Sequence, residues 1–240
     1  MENIKGIYVF LIAALPVGVV VGILFAANGT KSFRRLSRRF KKAYDKQDYD
    51  AVIKICEKIL KKYPDNFNGR YTYWKLLVHL CIKTGEEEKA LKNCEEMLEL
   101  FPDNCYALNS AGYCLLNNGE DFLAYLCWLK VRALDECDGV VWANIGKYYL
   151  LTGKPDKAAE HIERSLRMMK RQGLAEKYPT QFAETYAVIF ANLAVAYNLL
   201  GRHEDARAVL DAARGYGCEN IDEACEKVYG QIRQREGAFI

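Results

Sequence analysis

The sequence lacks the short motifs that identify most nucleotide-binding proteins and metalloenzymes. It contains no Gly-x-x-x-x-Gly-Lys-Ser/Thr phosphate loop, no Gly-x-Gly-x-x-Gly turn and no His-Glu-x-x-His pair. Its nine cysteines form no Cys-x-x-Cys pair, and its three histidines, His79, His161 and His203, are widely separated. We therefore predict that the protein is not an enzyme, that it holds no metal ion and that it needs no cofactor.

Proline and net charge are also scarce. Five prolines, 51% hydrophobic residues and 27% charged residues exclude a collagen-like or wholly disordered chain. The 240 residues include 34 Lys and Arg against 31 Asp and Glu, a net charge of +3. This charge is too small for a generally basic nucleic-acid binder, so we expect no nucleic-acid partner.

One long hydrophobic run stands at the start of the chain. Residues 7–27 read IYVFLIAALPVGVVVGILFAA and contain no charge. As a helix this run would span roughly 30 Å, the thickness of a bilayer's hydrocarbon core. We predict a single transmembrane helix at 7–27. A cleaved signal peptide is the alternative, although the run is longer than a usual signal h-region and no basic segment precedes it.

A cluster of basic residues, the basic collar, follows the predicted span. It consists of Lys31, Arg34, Arg35, Arg38, Arg39, Lys41 and Lys42. The positive-inside rule places the collar in the cytoplasm, with residues 1–6 on the other side of the membrane. The collar is expected to bind anionic lipid headgroups, and nucleic acid is an alternative ligand. The chain after the collar carries more acidic than basic residues.

Small residues recur at every fourth position of the predicted span. They are Ala14, Gly18, Gly22 and Ala26. Such a stripe lets two membrane helices approach closely, which predicts a homodimer formed through the span.

A 34-residue period runs through the rest of the chain. Gly112 and Gly146 are 34 residues apart, and so are Ala124 and Ala158. The same pattern of large and small residues recurs four times, as Trp74-x-x-Leu77-Val78-x-x-Cys81, Leu108-x-x-Ala111-Gly112-x-x-Leu115, Trp142-x-x-Ile145-Gly146-x-x-Tyr149 and Phe190-x-x-Leu193-Ala194-x-x-Tyr197. This pattern resembles the tetratricopeptide-repeat (TPR) family, whose unit is a helix–turn–helix.

The resemblance implies an all-α fold. We predict a right-handed TPR-like solenoid of about five helical hairpins within 37–220, preceded by a basic juxtamembrane segment at 28–42. The predicted repeats are 37–66, 71–104, 105–138, 139–172 and 187–220, and a capping helix with a C-terminal tail occupies 221–240. Fourteen extra residues precede the last repeat, where Gly173 and Pro179 indicate a break.

The resemblance also implies a binding surface, because TPR arrays generally bind extended peptides or partner helices along a concave surface lined by the first helix of each repeat. The predicted groove residues are Lys75, His79, Tyr106, Asn109, Tyr113, Asn144, Lys147 and Asn198. They partly resemble the carboxylate-clamp subgroup, which favours Asn where this sequence has His79. We expect charge reversal at Lys75 and Lys147 to weaken partner binding without lowering the melting temperature.

These features predict a membrane-anchored scaffold that binds a cytosolic peptide or protein in the groove. Two alternatives remain open. One is a receptor or chaperone-like adaptor that delivers client polypeptides to an assembly or translocation machine in the membrane. The other is a regulatory subunit of an enzyme.

Overall fold

The structure, a computed structural model, describes residues 31–62, 67–134, 139–173 and 179–237. The chain divides into two compact units at residue 134. Unit 1 contains six helices in its described part. They are α1 (Lys31–Asp45), α2 (Tyr49–Lys62), α3 (Phe67–Thr84), α4 (Glu87–Leu100), α5 (Cys105–Asn117) and α6 (Asp121–Leu134).

The helices of unit 1 form three hairpins, in which each helix packs against the next along the chain. The pattern of large and small residues explains the close approach within a hairpin. A Cβ atom added to Gly112 of α5 would lie 2.7 Å from Nε1 of Trp128 on α6. The turn between these helices contains Gly119, whose φ of 86° is the left-handed conformation that favours glycine.

The first helix, α1, is amphipathic although its composition is strongly basic. Leu36 and Phe40 are buried in the core cluster of unit 1 that also includes residues of α2 and α3. The side chains of the basic collar that the structure describes are exposed. They are Arg35, Arg38, Arg39, Lys41 and Lys42. These five collar residues therefore lie on the solvent side of a helix whose other side is part of the core.

Unit 2 contains two further hairpins and a final helix. Its described helices are α7 (Gly139–Leu151), α8 (Pro155–Arg171), α9 (Pro179–Leu199), α10 (His203–Gly215) and α11 (Ile221–Gly237). The hairpin α7–α8 is closely packed at Gly146, where an added Cβ atom would overlap Ile162. Every residue that the structure describes as regular secondary structure, in both units, is helical, so the prediction of an all-α fold built from helical hairpins is confirmed.

The extra residues before the last hairpin lengthen the helices on both sides. Helix α8 has 17 residues, against 14 in the second helices α4 and α6, and α9 has 21, against 13 to 18 in the first helices α3, α5 and α7. Gly173 takes a positive φ of 62° shortly after α8, and Pro179 is the first residue of α9. Proline is suited to this position because the first helical residue needs no intrahelical N–H donor.

The last helix packs differently from the first helix of a following hairpin. Helix α5, the first helix of its hairpin, packs chiefly against α4, the second helix of the preceding hairpin. Helix α11 instead packs chiefly against α9 and also contacts α7, while it contacts α10 only slightly. The helix expected from the sequence is therefore present at Ile221–Gly237, but it lies on the side of unit 2 formed by the first helices of the two hairpins.

Helix α9 is consequently surrounded by other helices. It contacts α7, α8, α10 and α11, and all nine residues from Ile189 to Tyr197 are buried. A helix that is apolar on every side is stable in water only in such a position.

The predicted transmembrane helix and its small-residue stripe lie outside the described residues and stay predictions. Among the helices that the structure does describe, none is long and apolar enough to cross a bilayer.

Candidate partner-binding surfaces

In unit 1, the first helices α3 and α5 carry five of the eight predicted groove residues. We call their shared surface the unit 1 face, defined by Lys75, His79, Tyr106, Asn109 and Tyr113. The structure brings two of these residues into direct contact. The hydroxyl of Tyr106 donates a hydrogen bond of 2.8 Å to the backbone carbonyl of Lys75, and Nζ of Lys75 lies 4.5 Å from the centroid of the Tyr106 ring.

The Lys75 side chain, which contacts the Tyr106 ring, is buried. This burial corrects one expectation from the sequence. Lys75 is only 3% exposed, and burial lowers its pKa to about 8. A Lys in this position is part of the packing between two hairpins, so reversing its charge would place a carboxylate in a desolvated site. This burial contradicts the expectation that charge reversal at Lys75 leaves the melting temperature unchanged.

The other members of the unit 1 face are more accessible. His79 is exposed, and Asn109 and Tyr113 are half-buried. The backbone at Asn109 is fixed by a hydrogen bond of 3.3 Å from Nε1 of Trp128 to its carbonyl. The face therefore presents an imidazole, an amide and a phenol on helices whose positions are set by the core, and each of these groups can donate or accept a hydrogen bond.

In unit 2, the three remaining predicted groove residues lie on α7 and α9, the helices that α11 contacts. Lys147 is only 5% exposed, so its burial contradicts the expectation that its charge can be reversed without loss of stability. Asn144 is half-buried. Nδ2 of Asn198 donates a hydrogen bond of 3.2 Å to the hydroxyl of Tyr229, which belongs to α11.

A buried amide lies on the same helix as Asn198. Asn192 of α9 is 2% exposed, and its Oδ1 atom has no hydrogen-bond partner among the described residues. A buried amide oxygen without a hydrogen-bond partner lowers the stability of the folded protein. The burial of Asn192 on α9 is therefore unfavourable.

A polar pair, Tyr197 and Glu163, connects the hairpins of unit 2, although only Tyr197 belongs to the repeat pattern. The hydroxyl of Tyr197 donates a hydrogen bond of 2.7 Å to Oε1 of Glu163. These residues are 34 positions apart, which is the repeat period, so a search for polar pairs at that spacing could have found them. Burial, followed by the hydrogen bond to Glu163, raises the pKa of Tyr197 to about 12.

The described cysteines are thiols held largely inside the hairpins. Cys56, Cys81, Cys94, Cys114 and Cys218 are buried. Burial raises the pKa of the Cys81 thiol to about 11 and that of Cys114 to about 12, which disfavours the reactive thiolate. No group of three or more metal-binding side chains is found among the residues that the structure describes.

The two hairpins of unit 2 match the models of a known repeat family. Tetratricopeptide-repeat models match residues 140–168 and 187–212. No significant relative was found among proteins of curated function.

Solved structures with similar backbones include TTC0263, a thermophilic TPR protein of Thermus thermophilus, at 18% identity. It has a TM-score of 0.59, and the match covers 83% of this chain and 98% of that one. MamA, also 18% identical, has a TM-score of 0.52 with 74% and 94% covered. The Cut9–Hcn1 hetero-tetramer of the APC/C has a TM-score of 0.69 at 18% identity, with 91% and 41% covered. At such identities the likeness concerns the fold alone. The chain contains tetratricopeptide repeats, and its all-α fold is that of TPR proteins.

Proposed function

We propose that this protein is a membrane-anchored scaffold that binds a peptide or protein partner on the unit 1 face. The fold supports a protein-binding role, because TPR domains bind protein partners. The observation that carries the assignment to unit 1 is a difference between the two units. His79, Asn109 and Tyr113 are accessible on α3 and α5, whereas in unit 2 the corresponding side is covered by α11.

The chemistry of the unit 1 face favours an extended or helical peptide over a small anionic ligand. The side chains of His79, Asn109 and Tyr113 can form hydrogen bonds with peptide amides, and the Tyr113 ring also offers apolar contact area. Lys75 lies against the Tyr106 ring and is buried, so it is poorly placed to act as a free cation for a terminal carboxylate. A carboxylate clamp is therefore not part of the proposal.

The anchor would act by localisation. The apolar run at 7–27 and the basic collar predict a single span with the repeats on the cytoplasmic side. Confinement of the unit 1 face to a membrane surface raises the effective concentration of any partner that is confined there too. The exposed collar side chains on α1 would hold that helix near anionic headgroups.

Partner binding is tested with the full chain, isolated from its native membrane in mild detergent. We expect the double variant H79A/Y113A to lose at least ten-fold of its partner in quantitative pulldowns, while its melting temperature changes little. The control is K92A/E95A, which alters two exposed residues of α4, the second helix of the same hairpin. Recovery of the same partner by both variants would show that the unit 1 face is not the binding surface.

The same experiment distinguishes the scaffold from the adaptor. A scaffold recovers one or two partners in stoichiometric amounts. If the protein is instead a receptor that delivers clients, the pulldown recovers many unfolded polypeptides, in amounts that depend on their synthesis rate.

Membrane anchoring is tested separately, by alkaline extraction and protease protection. We expect the wild-type protein to stay in the membrane pellet and its repeats to be digested only when the cytoplasmic side is accessible. The variant L15R/V20R should appear in the supernatant, because a charge near the bilayer centre costs about 3 kcal/mol. A wild-type protein that is fully extracted would contradict the anchor and leave the partner-binding proposal intact.

A further inference from the structure

The first hairpin of unit 1, α1–α2, has a charge unlike that of the rest of the chain. Residues 31–62 contain twelve Lys and Arg residues against four Asp and Glu residues, a net charge of +8. The whole chain has a net charge of only +3, so the residues outside this hairpin are acidic on balance. A positive charge concentrated in one hairpin indicates that this hairpin binds an anionic partner.

A row of lysines on α2 contributes to this charge. We call it the α2 row; it consists of Lys54, Lys58 and Lys61, which are all exposed. The three lysines are separated by four and three residues, so they share the side of the helix opposite to the buried Cys56 and Ile59. The dipole of α2 favours Lys61, which is in the last turn, but it does not account for Lys54 or Lys58.

The repeat register shows that the α2 row is specific to the first hairpin. Cys56 of α2 lies 34 residues before Ala90 of α4, and both are buried, so residues at the same offsets from them can be compared. At the offsets of the α2 row, α4 has Glu88, Lys92 and Glu95, α6 has Phe122, Leu126 and Leu129, α8 has Asp156, Glu160 and Glu163, and α10 has Glu204, Ala208 and Asp211. Lysine at all three offsets is therefore not a requirement of the repeat.

The hairpin brings the α2 row beside the basic collar. Helices α1 and α2 pack against each other and are joined by only three residues, 46–48, so they run antiparallel. The α2 row extends from the middle of α2 to its end, and it therefore lies alongside the part of α1 that carries the exposed Arg35, Arg38 and Arg39. The sequence predicted the collar alone, whereas the fold adds a second basic helix at the same end of the hairpin.

The four acidic residues of the hairpin leave this charge uncompensated. Three of them lie within 45–50, around the turn between α1 and α2. One of these, Asp48, already accepts a hydrogen bond of 3.1 Å from the backbone N–H of Ala51 through its Oδ1 atom. The fourth, Glu57, forms an ion pair of 2.6 Å with Lys89 of α4. The open end of the hairpin, opposite the turn, is thus strongly basic.

The start of α1 also favours an external anion. Its first turn contains Lys31 and Arg34 and no acidic residue. The N-terminus of a helix carries a partial positive charge, so cations placed there destabilise the helix. An anionic surface at this end would offset both the dipole and the basic residues.

We propose that the collar and the α2 row dock together on the anionic surface of the membrane, so that the first hairpin lies against the headgroups. The inference rests on the membrane location given under the proposed function. Three residues separate the predicted span, which ends at residue 27, from α1, so the start of α1 is at most about 14 Å from the end of the span. Basic residues that close to an anionic leaflet are attracted to it.

Nucleic acid is the other anionic macromolecule that such a surface could bind. The position of the hairpin favours lipid, because a span at 7–27 would keep the headgroups at high effective concentration beside it. Docking assigns the first hairpin to the membrane and leaves α3 and α5, which form the unit 1 face, to the protein partner.

Lysine footprinting of the wild-type full chain tests the docking directly. The protein is placed in nanodiscs of neutral phosphatidylcholine, or of phosphatidylcholine with phosphatidylglycerol, and its lysines are acetylated with an uncharged reagent before mass spectrometry. We expect the α2 row to react at least three-fold more slowly in the anionic discs. Lys92 of α4, which is also exposed, should react equally in both. Equal rates for the α2 row in the two discs would overturn the proposal.

Vesicle binding tests the same contacts without the span. The full-length variant L15R/V20R is co-sedimented with vesicles of the same two compositions. We expect it to bind the anionic vesicles, more weakly as salt is added, and to lose at least ten-fold in affinity when K54E/K58E/K61E is introduced.

The matched control is K92E/K154E/K170E, which reverses three exposed lysines outside the hairpin and changes the net charge equally. It should lose less than three-fold in affinity. Equal losses for the two triple variants would overturn the proposal, because binding would then depend on net charge alone. Circular dichroism confirms that each variant is folded, which is expected because the substituted lysines lie at the surface.

Further outcomes separate the docking from the anchor and from nucleic acid. Extraction of the wild-type protein by alkali, together with binding of L15R/V20R to anionic vesicles through the α2 row, would contradict the span and support the docking. A protein that resists extraction but leaves the α2 row unprotected would support the span and overturn the docking. Displacement of L15R/V20R from anionic vesicles by single-stranded RNA at equal phosphate concentration would identify nucleic acid as the preferred ligand and also overturn it.

Discussion

The Tyr106 hydroxyl hydrogen-bonds to the Lys75 carbonyl, and the Lys75 ammonium lies over the Tyr106 ring, so two predicted ligand contacts are also structural contacts between hairpins. Tyr106 lies at the start of α5 and Lys75 in the middle of α3. The pair therefore fixes the spacing of the two helices that form the unit 1 face. A variant at either position changes the shape of that face as well as its chemistry.

Charge reversal at Lys75 should destabilise the protein. We expect K75E to lower the free energy of unfolding by about 3 kcal/mol, because a carboxylate at this position is desolvated beside the electron-rich face of Tyr106. K75M retains the length of the side chain without charge and should cost about 1 kcal/mol or less. Equilibrium urea unfolding at pH 7 measures both. Equal losses for K75E and K75M would mean that the site is accessible to water.

The stability contributed by Lys75 should depend on pH in a defined direction. Burial lowers its pKa to about 8, below the ordinary value of 10.5, so the folded protein releases this proton before the unfolded chain does. Stability therefore rises between pH 8 and pH 10.5 relative to K75M, by up to about 3 kcal/mol, and is constant below pH 8. Parallel urea titrations of wild type and K75M across this range measure the difference. A flat difference would contradict the burial of the ammonium.

Replacement of Gly146 by alanine should separate α7 from α8. The added methyl group overlaps Ile162, and we expect a loss of about 2 kcal/mol in the free energy of unfolding. The matched control is G230A in α11, where no atom lies within 4 Å of the new Cβ, and which should stabilise by about 0.5 kcal/mol through helix propensity. The double variant G146A/I162A should lose less than the sum of the two single losses.

One substitution should release helix α11 from α9 and α7. Val228 of α11 is buried, and we expect V228D to weaken the packing of α11 on the rest of unit 2 by about 3 kcal/mol. Limited proteolysis should then cut within 216–220 while α7–α10 stay folded. Q234D, on the exposed side of the same helix, should be cleaved no faster than wild type. Rapid cleavage of both variants would show that α11 is only loosely held in the native protein.

The link between the hairpins of unit 2 should be measurable at Tyr197. We expect Y197F to lose about 1 kcal/mol by removing the hydrogen bond to Glu163, and the loss to disappear in the E163A background. The raised pKa of Tyr197, about 12, means that this contribution is present below pH 10 and is lost as the pH rises from 10 to 12. Thermal unfolding at pH 7 and pH 11 measures the difference between wild type and Y197F.

The hairpins could be predicted from the sequence because their packing depends on residues that recur at a fixed period. Gly112 and Gly146 permit close helix approach, and Gly119 follows the end of a helix in the left-handed conformation. Each of these glycines meets a need of its own hairpin, close helix approach or a left-handed turn, so it can be recognised in a single sequence.

The burial of Lys75 and the position of α11 could not be predicted in the same way. An amphipathic pattern shows which side of a helix is apolar but not which neighbour covers it. Ile221 and Val228 would suit a cap against α10 as well as the observed position on α9. Lys75 has the polarity of a surface residue, yet it is buried and contacts Tyr106, which is 31 residues away in the sequence.

The contacts of α9 also determine how unit 2 should open. In a repeat protein each repeat contacts only its neighbours, and the terminal repeat frays first. Helix α11 reaches past α10 to α9 and α7, so the end of the chain holds an interior element in place. Amide hydrogens of Ile189–Tyr197 should therefore exchange through the global unfolding of unit 2 rather than through fraying, and their protection should fall, although α9 stays folded, once α11 is released.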